Sequence, residues 1–181
     1  MWDGRAETKA DSKCPYCDTE FFSHTMETCE SIMAKLEDLR STGTEWVWVS
    51  GGEPSLQLDA PLIDALHHQG YRVAVETNGA KAFRAGVVER LDHLTVSPKL
   101  PPAETVIRKA HTLKLLWPHP DPEIRPERYD AIEADARYLQ PIQWEDEPER
   151  NFANMKAAVE LLKTLPGWRL SVQLHKVIGV E

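Results

Sequence analysis

Trp46-Val47-Trp48-Val49-Ser50-Gly51-Gly52-Glu53-Pro54 is the stretch whose reading decides the fold. Four aromatic and β-branched residues predict a short buried strand, and the Ser-Gly-Gly-Glu-Pro that follows predicts a sharp turn. The same pairing of strand and polar turn recurs twice downstream. Tyr71-Arg72-Val73-Ala74-Val75-Glu76 runs into Thr77-Asn78-Gly79, and His93-Leu94-Thr95-Val96 runs into Ser97-Pro98-Lys99. Thr112-Leu113-Lys114-Leu115-Leu116, Arg137-Tyr138-Leu139-Gln140 before Pro141, and Trp168 to Leu174 complete the strands.

Helical spacing fills the gaps. Ile32, Met33, Leu36 and Leu39 recur at the period of a helix over 26–39, with Thr25 as its N-cap and Ser41-Thr42-Gly43 as its stop. Further helices are predicted over 58–69, 81–91, 127–136 and 151–165, the last with Met155, Ala158, Val159 and Leu162 on one face. Pro118–Pro126 is too rich in proline for anything but a loop. Strand and helix alternate, which gives a parallel sheet with crossover connections in an α/β layered or barrel-like fold. No domain boundary or fixed-period repeat is visible, so 181 residues make one domain.

Composition narrows the function. A net charge of -8 argues against a broad basic face for nucleic acid. No apolar run approaches the ~20 residues of a membrane span, and Met1 to Lys13 is too polar for a secretory signal. An odd cysteine count without a signal points to a reducing, cytoplasmic setting, with thiols used for metal or redox chemistry.

The glycine and polar signals all follow strands, at the edge where parallel sheets bind ligands. They therefore predict one site rather than several. Cys14-Pro15-Tyr16-Cys17 has three readings: thiolate ligands for a metal or iron–sulfur cluster, a redox disulfide, or plain surface cysteines. The redox reading draws on a likeness to the glutaredoxin site, but the polar segment 5–13 cannot supply the strand that site needs. A zinc site would enlist Cys14, Cys17, His24 and Cys29. Gly51 and Gly52 let backbone approach a small ligand, and Glu53 could accept from its amine.

Together these blocks resemble the radical S-adenosylmethionine enzymes, and most closely the 7-carboxy-7-deazaguanine synthase family. The resemblance rests on Cys14-Pro15-Tyr16-Cys17-Asp18-Thr19, Ser50 to Pro54, Glu76 to Gly79, Ser97-Pro98-Lys99, Tyr138 to Pro141 and Gln173 to Gly179, in order. It implies an open, partial barrel of parallel β/α units, with a single domain over 1–181 whose first strand is missing. It implies a [4Fe–4S] cluster, S-adenosylmethionine and Mg²⁺ as cofactors. The implied reaction is radical ring contraction of 6-carboxy-5,6,7,8-tetrahydropterin to 7-carboxy-7-deazaguanine with loss of ammonia, which feeds queuosine and other 7-deazapurines. A flavodoxin-like electron donor and a homodimer come with the family; nucleic acid and membrane partners do not.

Carried over by position, Cys14 and Cys17 are cluster ligands and Thr19 is the Mg²⁺ ligand. Tyr16, Cys17, Asp18, Gly52, Glu53, Thr77, Ser97, Pro98, Lys99 and Gln140 face S-adenosylmethionine, while Ser50 and the C-terminal segment ending at Glu181 enclose the substrate. Two rivals stand beside this reading: a thiol redox or zinc-binding module, and an inactive truncated homologue. The family's cluster takes three cysteines, and Cys14 and Cys17 supply two. One branch of the family carries a long insertion between its first two cysteines, with a Gly-Cys-Asn ahead of it. Matching that spacing puts the remaining cysteine just upstream of Met1, which makes Met1 an internal methionine. Sequencing the coding DNA upstream is expected to reveal an in-frame Cys-Asn next to Met1; its absence would overturn the truncation reading.

Overall fold

The structure is a computed structural model and describes residues 12, 14–17 and 25–179. Its centre is one six-stranded sheet: β1 (Trp46–Val49), β2 (Arg72–Thr77), β3 (His93–Val96), β4 (Lys109–Trp117), β5 (Glu133–Pro141) and β6 (Trp168–Leu170). Every neighbouring pair is parallel, and the strands lie in chain order from β1 to β6. Sequential order without reversal is the pattern of a β/α barrel wall rather than a doubly wound sheet. It leaves all six carboxyl ends on one edge.

Four helices accompany the sheet: α1 (Cys29–Arg40), α2 (Ala60–His68), α3 (Pro148–Leu162) and the short α4 (Leu174–Ile178). The Thr28 hydroxyl caps α1 by accepting from the Ser31 amide, and Asp59 caps α2 by accepting from Leu62. The capped start of α1 therefore falls three residues after Thr25, whose hydroxyl instead reaches Glu27. The main core lies between sheet and helices. Ile63 and Leu66 of α2 and Ala158 of α3 meet Val73, Val75, Leu94, Val96, Leu113, Leu115 and Leu139 from the strands. Among the described residues no helix is long and apolar enough to cross a membrane.

Four expectations need correction. The last strand ends at Leu170, and Leu174, expected within it, opens α4. Residues 81–91 form no α-helix, only a single 3-10 turn at Val88–Arg90. Gly86 holds φ at +78° in the middle of that stretch, a conformation that ends helical winding. Residues 127–136 likewise hold a 3-10 turn at Pro126–Tyr129, and from Glu133 the chain already pairs with β4. Tertiary pairing overrides the weak helical period there. Strict alternation of strand and helix thus holds only around α2 and α3; turns connect the middle strands. Finally, β1 is not a buried strand. It is the edge of the described sheet, with Val47 and Val49 packed on the core while Trp46 and Trp48 remain 41% and 53% exposed.

The turn after β2 is tightly packed. Gly79 sits at φ +75°, and a Cβ there would stand 2.9 Å from Val96 Cγ1 and 3.0 Å from Thr105 Cγ2. Its carbonyl also accepts from Val106 N at 2.7 Å. Gly79→Ala therefore combines a left-handed backbone penalty with overpacking, and is expected to cost about 3 kcal/mol in urea unfolding. A variant as stable as the parent would show that this turn is free to shift.

Candidate active site

All six carboxyl ends open into one cleft of about 1060 Å³. Its wall is built in chain order: Ser50 to Glu53 after β1, Glu76 to Asn78 at the end of β2, Ser97 and Lys99 after β3, Lys114 and Leu116 of β4, Gln140 to Gln143 at the end of β5, and Ser171 to Lys176 after β6. Cys14, Tyr16 and Cys17 border the same cleft. The single site predicted from the loop pattern is thus assembled. Of the residues singled out from the sequence, Cys14, Tyr16, Cys17, Ser50, Gly52, Glu53, Thr77, Ser97, Lys99 and Gln140 line it. Pro98 is buried beside it. Asp18, Thr19 and Glu181 lie outside the described residues.

Glu53 joins the first two loops. Its buried carboxylate accepts from Ser55 N at 3.1 Å and Thr77 Oγ1 at 2.5 Å through Oε1, and from Asn78 N at 2.9 Å through Oε2. Thr77 Oγ1 in turn accepts from Gly79 N at 3.1 Å. A carboxylate offers roughly four acceptor positions, so three internal donors leave room for about one from a ligand. Glu53 therefore orders the cleft wall first and faces a ligand second. Gly51 and Gly52 beside it are exposed, with Gly51 at φ +79°, so bare backbone faces the cleft.

Two lysines reach the cleft with different partners. Lys99 Nζ donates to the carbonyl and hydroxyl oxygens of Ser97, at 2.8 and 2.6 Å. Burial pushes the Lys99 ammonium below its ordinary value, against the opposing pull of Glu76 and Cys14. Lys114 Nζ forms a half-buried ion pair with Glu76 Oε2 at 2.7 Å, tying β4 to β2 across β3. Sequence reasoning did not pick out Lys114. The signal was a lone lysine in the otherwise buried run Thr112-Leu113-Lys114-Leu115-Leu116.

Residues 14–17 form a turn closed by Cys17 N donating to Cys14 O at 3.0 Å. A second, smaller apolar cluster seats it: Tyr16 packs with Leu116 and Ile142, flanked by Cys14 and Trp144. Tyr16 meets the rings of His119 and Trp144 edge-on, and its hydroxyl lies 2.8 Å from His119 Nε2. Burial raises the Tyr16 phenol and lowers His119, and the charges of Cys14 and Cys17 push Tyr16 further the same way. No disulfide joins Cys14, Cys17 and Cys29 to one another. Cys29 opens α1 and lines a different cleft, behind the 50–54 turn. Among the described residues no three His, Cys, Asp or Glu side chains gather as a metal site, so Cys29 does not join the pair. The zinc arrangement loses that ligand; His24, its fourth, lies outside the described residues.

The chain is 39% identical over 188 residues to the 7-carboxy-7-deazaguanine synthase of Caulobacter vibrioides, spanning 99% of this chain and 84% of that protein. The synthases of Bradyrhizobium diazoefficiens and Burkholderia multivorans are each 35% identical, over 100% and 99% of this chain and 85% and 84% of theirs. This chain belongs to the 7-carboxy-7-deazaguanine synthase family. The crystal structure of QueE from Escherichia coli superposes with a TM-score of 0.52 at 21% identity, over 81% of this chain and 64% of that one, and so shares the fold. No family model matches the chain.

Replacing Glu53 tests how much of this wall one carboxylate holds. Glu53→Gln sets an amide N–H₂ against donors that need an acceptor. It is expected to lower unfolding free energy by about 2 kcal/mol and to speed amide exchange at Asn78. Unchanged protection of Asn78 would show that the turn holds itself.

Proposed function

We propose that this chain carries out the synthase reaction of its family, converting 6-carboxy-5,6,7,8-tetrahydropterin to 7-carboxy-7-deazaguanine with loss of ammonia, as a carbon–nitrogen lyase. The supporting observation is that one cleft gathers the Cys14–Cys17 pair with Gly51 to Glu53, Thr77, Ser97, Lys99 and Gln140. A redox disulfide module would have no use for these other walls.

The residues present fit the implied cofactors in kind. Two thiols on one tight turn are soft ligands suited to an iron–sulfur cluster, and Cys14 and Cys17 would hold it from this side. Exposed backbone at Gly51 and Gly52, with Lys99 lining the same cleft, suits the amino-acid end of S-adenosylmethionine. When bound, the cluster at Cys14 and Cys17 and S-adenosylmethionine beside Gly52 and Lys99 would supply the radical chemistry of the reaction. Thr19 would add its hydroxyl oxygen to Mg²⁺.

The remaining roles belong to the cleft itself. Lys114 holds the Glu76 carboxylate toward the cleft, so charge is fixed there before a ligand arrives. Gln140 is anchored by Ser171, 3.3 Å from its Oε1, which aligns the β5 and β6 ends. Ser50 and the segment after β6, ending at Glu181, would close over the substrate. A second copy of the chain, a flavodoxin-like electron donor and a cytoplasmic setting complete the reading.

The family's cluster takes three cysteines and Cys14 and Cys17 supply two, so anaerobic loading of these 181 residues with iron and sulfide should leave the broad thiolate-to-iron absorbance near ~400 nm weak, and a chain that adds a third cysteine should develop it. Supplying that chain with S-adenosylmethionine, reductant, Mg²⁺ and the tetrahydropterin should then yield 7-carboxy-7-deazaguanine by mass spectrometry. Lys99→Met is expected to weaken S-adenosylmethionine binding by about tenfold in calorimetry. A loaded cluster that gives no product, or tight zinc binding in its place, would overturn the proposal.

A further inference from the structure

Nothing in the sequence ties His119 to the cysteines, which lie more than a hundred positions away. It falls in the proline-rich loop that follows β4, a stretch legible only as a connection. The fold brings it to the turn at 14–17, where its Nε2 lies 2.8 Å from the Tyr16 hydroxyl.

The direction of that bond follows from the other ring nitrogen. His119 Nδ1 accepts from the backbone N–H of Asp121 at 3.0 Å. A backbone amide can only donate, so Nδ1 carries no proton and the ring proton sits on Nε2. His119 therefore donates to Tyr16, and its own loop fixes that tautomer. On the other side, Trp144 is held between Arg150, 3.7 Å from its ring centre, and the edge of Tyr16. Asn151 locks the Trp144 backbone at both its N–H and its carbonyl, at 2.7 and 2.8 Å. Tyr16 is thus gripped from two loops, after β4 and after β5. The apolar grip is nonspecific in direction; the His119 bond is the directional one.

We infer that His119 is a positioning residue for the thiol pair: through Tyr16 it holds the Cys14–Cys17 turn at the mouth of the cleft. The inference deepens the synthase reading and rests on it for the purpose of the turn. Its test needs no cluster, cofactor or turnover, so the two can fail separately.

The test is alkylation of the reduced full chain by iodoacetamide, read for each cysteine by fragment-ion mass spectrometry. Cys29, half-buried at the start of α1 in a different cleft, serves as the internal reference. His119→Phe keeps a ring beside Tyr16 but removes the donor, and Tyr16→Phe removes the acceptor. Each is expected to speed Cys14 and Cys17 about threefold with Cys29 unchanged, since a loosened turn exposes these half-buried thiols further. Because both variants break one bond, the double variant should be no faster than either single one. His119→Gln, whose amide can donate in the same direction, should stay near the parent rate. Unmoved Cys14 and Cys17 in folded His119→Phe, or additive effects with Tyr16→Phe, would overturn the inference. Should His119→Phe also speed Cys29, the comparison of Tyr16→Phe with His119→Gln decides: a fast glutamine variant refutes the role, and a slow one beside a fast Tyr16→Phe supports it.

Discussion

A buried carboxylate cannot be left with its charge unanswered, and Glu53 is buried. Its answers come from the backbone of its own turn and from the end of β2, so satisfying one side chain fixes the distance between two loops. Thr77 passes the constraint on to Gly79, and the Gly79 carbonyl passes it to Val106 beyond β3. The segments after β1 and at the end of β2 are thereby tied by a single acidic group. Its cost is repaid only if every donor stays in place, which makes the wall stiff where a ligand would need it so.

The opposite wall is ordered by different physics. Around Tyr16 the contacts are aromatic and apolar, with Leu116, Ile142 and Trp144 forming a cluster separate from the main core. That separation matters. The main core lies on the helix side of the sheet and holds the strands; the small one lies at the strand ends and holds the thiol turn. Polar fasteners from α3 stabilise it from behind: Asn151 on Trp144 and the buried Asn154 on the Ile142 carbonyl. The helix face read from sequence as Met155, Ala158, Val159 and Leu162 is apolar only in part. Val159 is exposed, and Asn154 takes the inner position because a backbone carbonyl needs a donor there.

Strands were legible because their residues obey short-range rules. Val73 and Val75, Leu94 and Val96, Leu113 and Leu115 alternate toward one core, and each run ends in a turn whose glycine or proline marks the stop. The helices at 81–91 and 127–136 were misread for the same reason: a helical spacing of a few apolar residues says nothing about Gly86 turning left-handed or about Glu133 finding a partner in Lys109. The two tryptophans of β1 look like core residues in any local reading. They stand on the face opposite Val47 and Val49, where Trp48 borders the cleft, and so stay exposed.

The sequence alone determined a parallel α/β sheet, the strand-end location of the site, and the residue blocks that line it, because period, turn chemistry and motif order are local properties. Tertiary structure alone decided how those residues are used. Glu53 proved to be a tie between loops, Lys114 the partner of Glu76, and His119 the donor to Tyr16. Each of these depends on which distant groups the fold brings within hydrogen-bond reach, and no spacing along the chain encodes that distance.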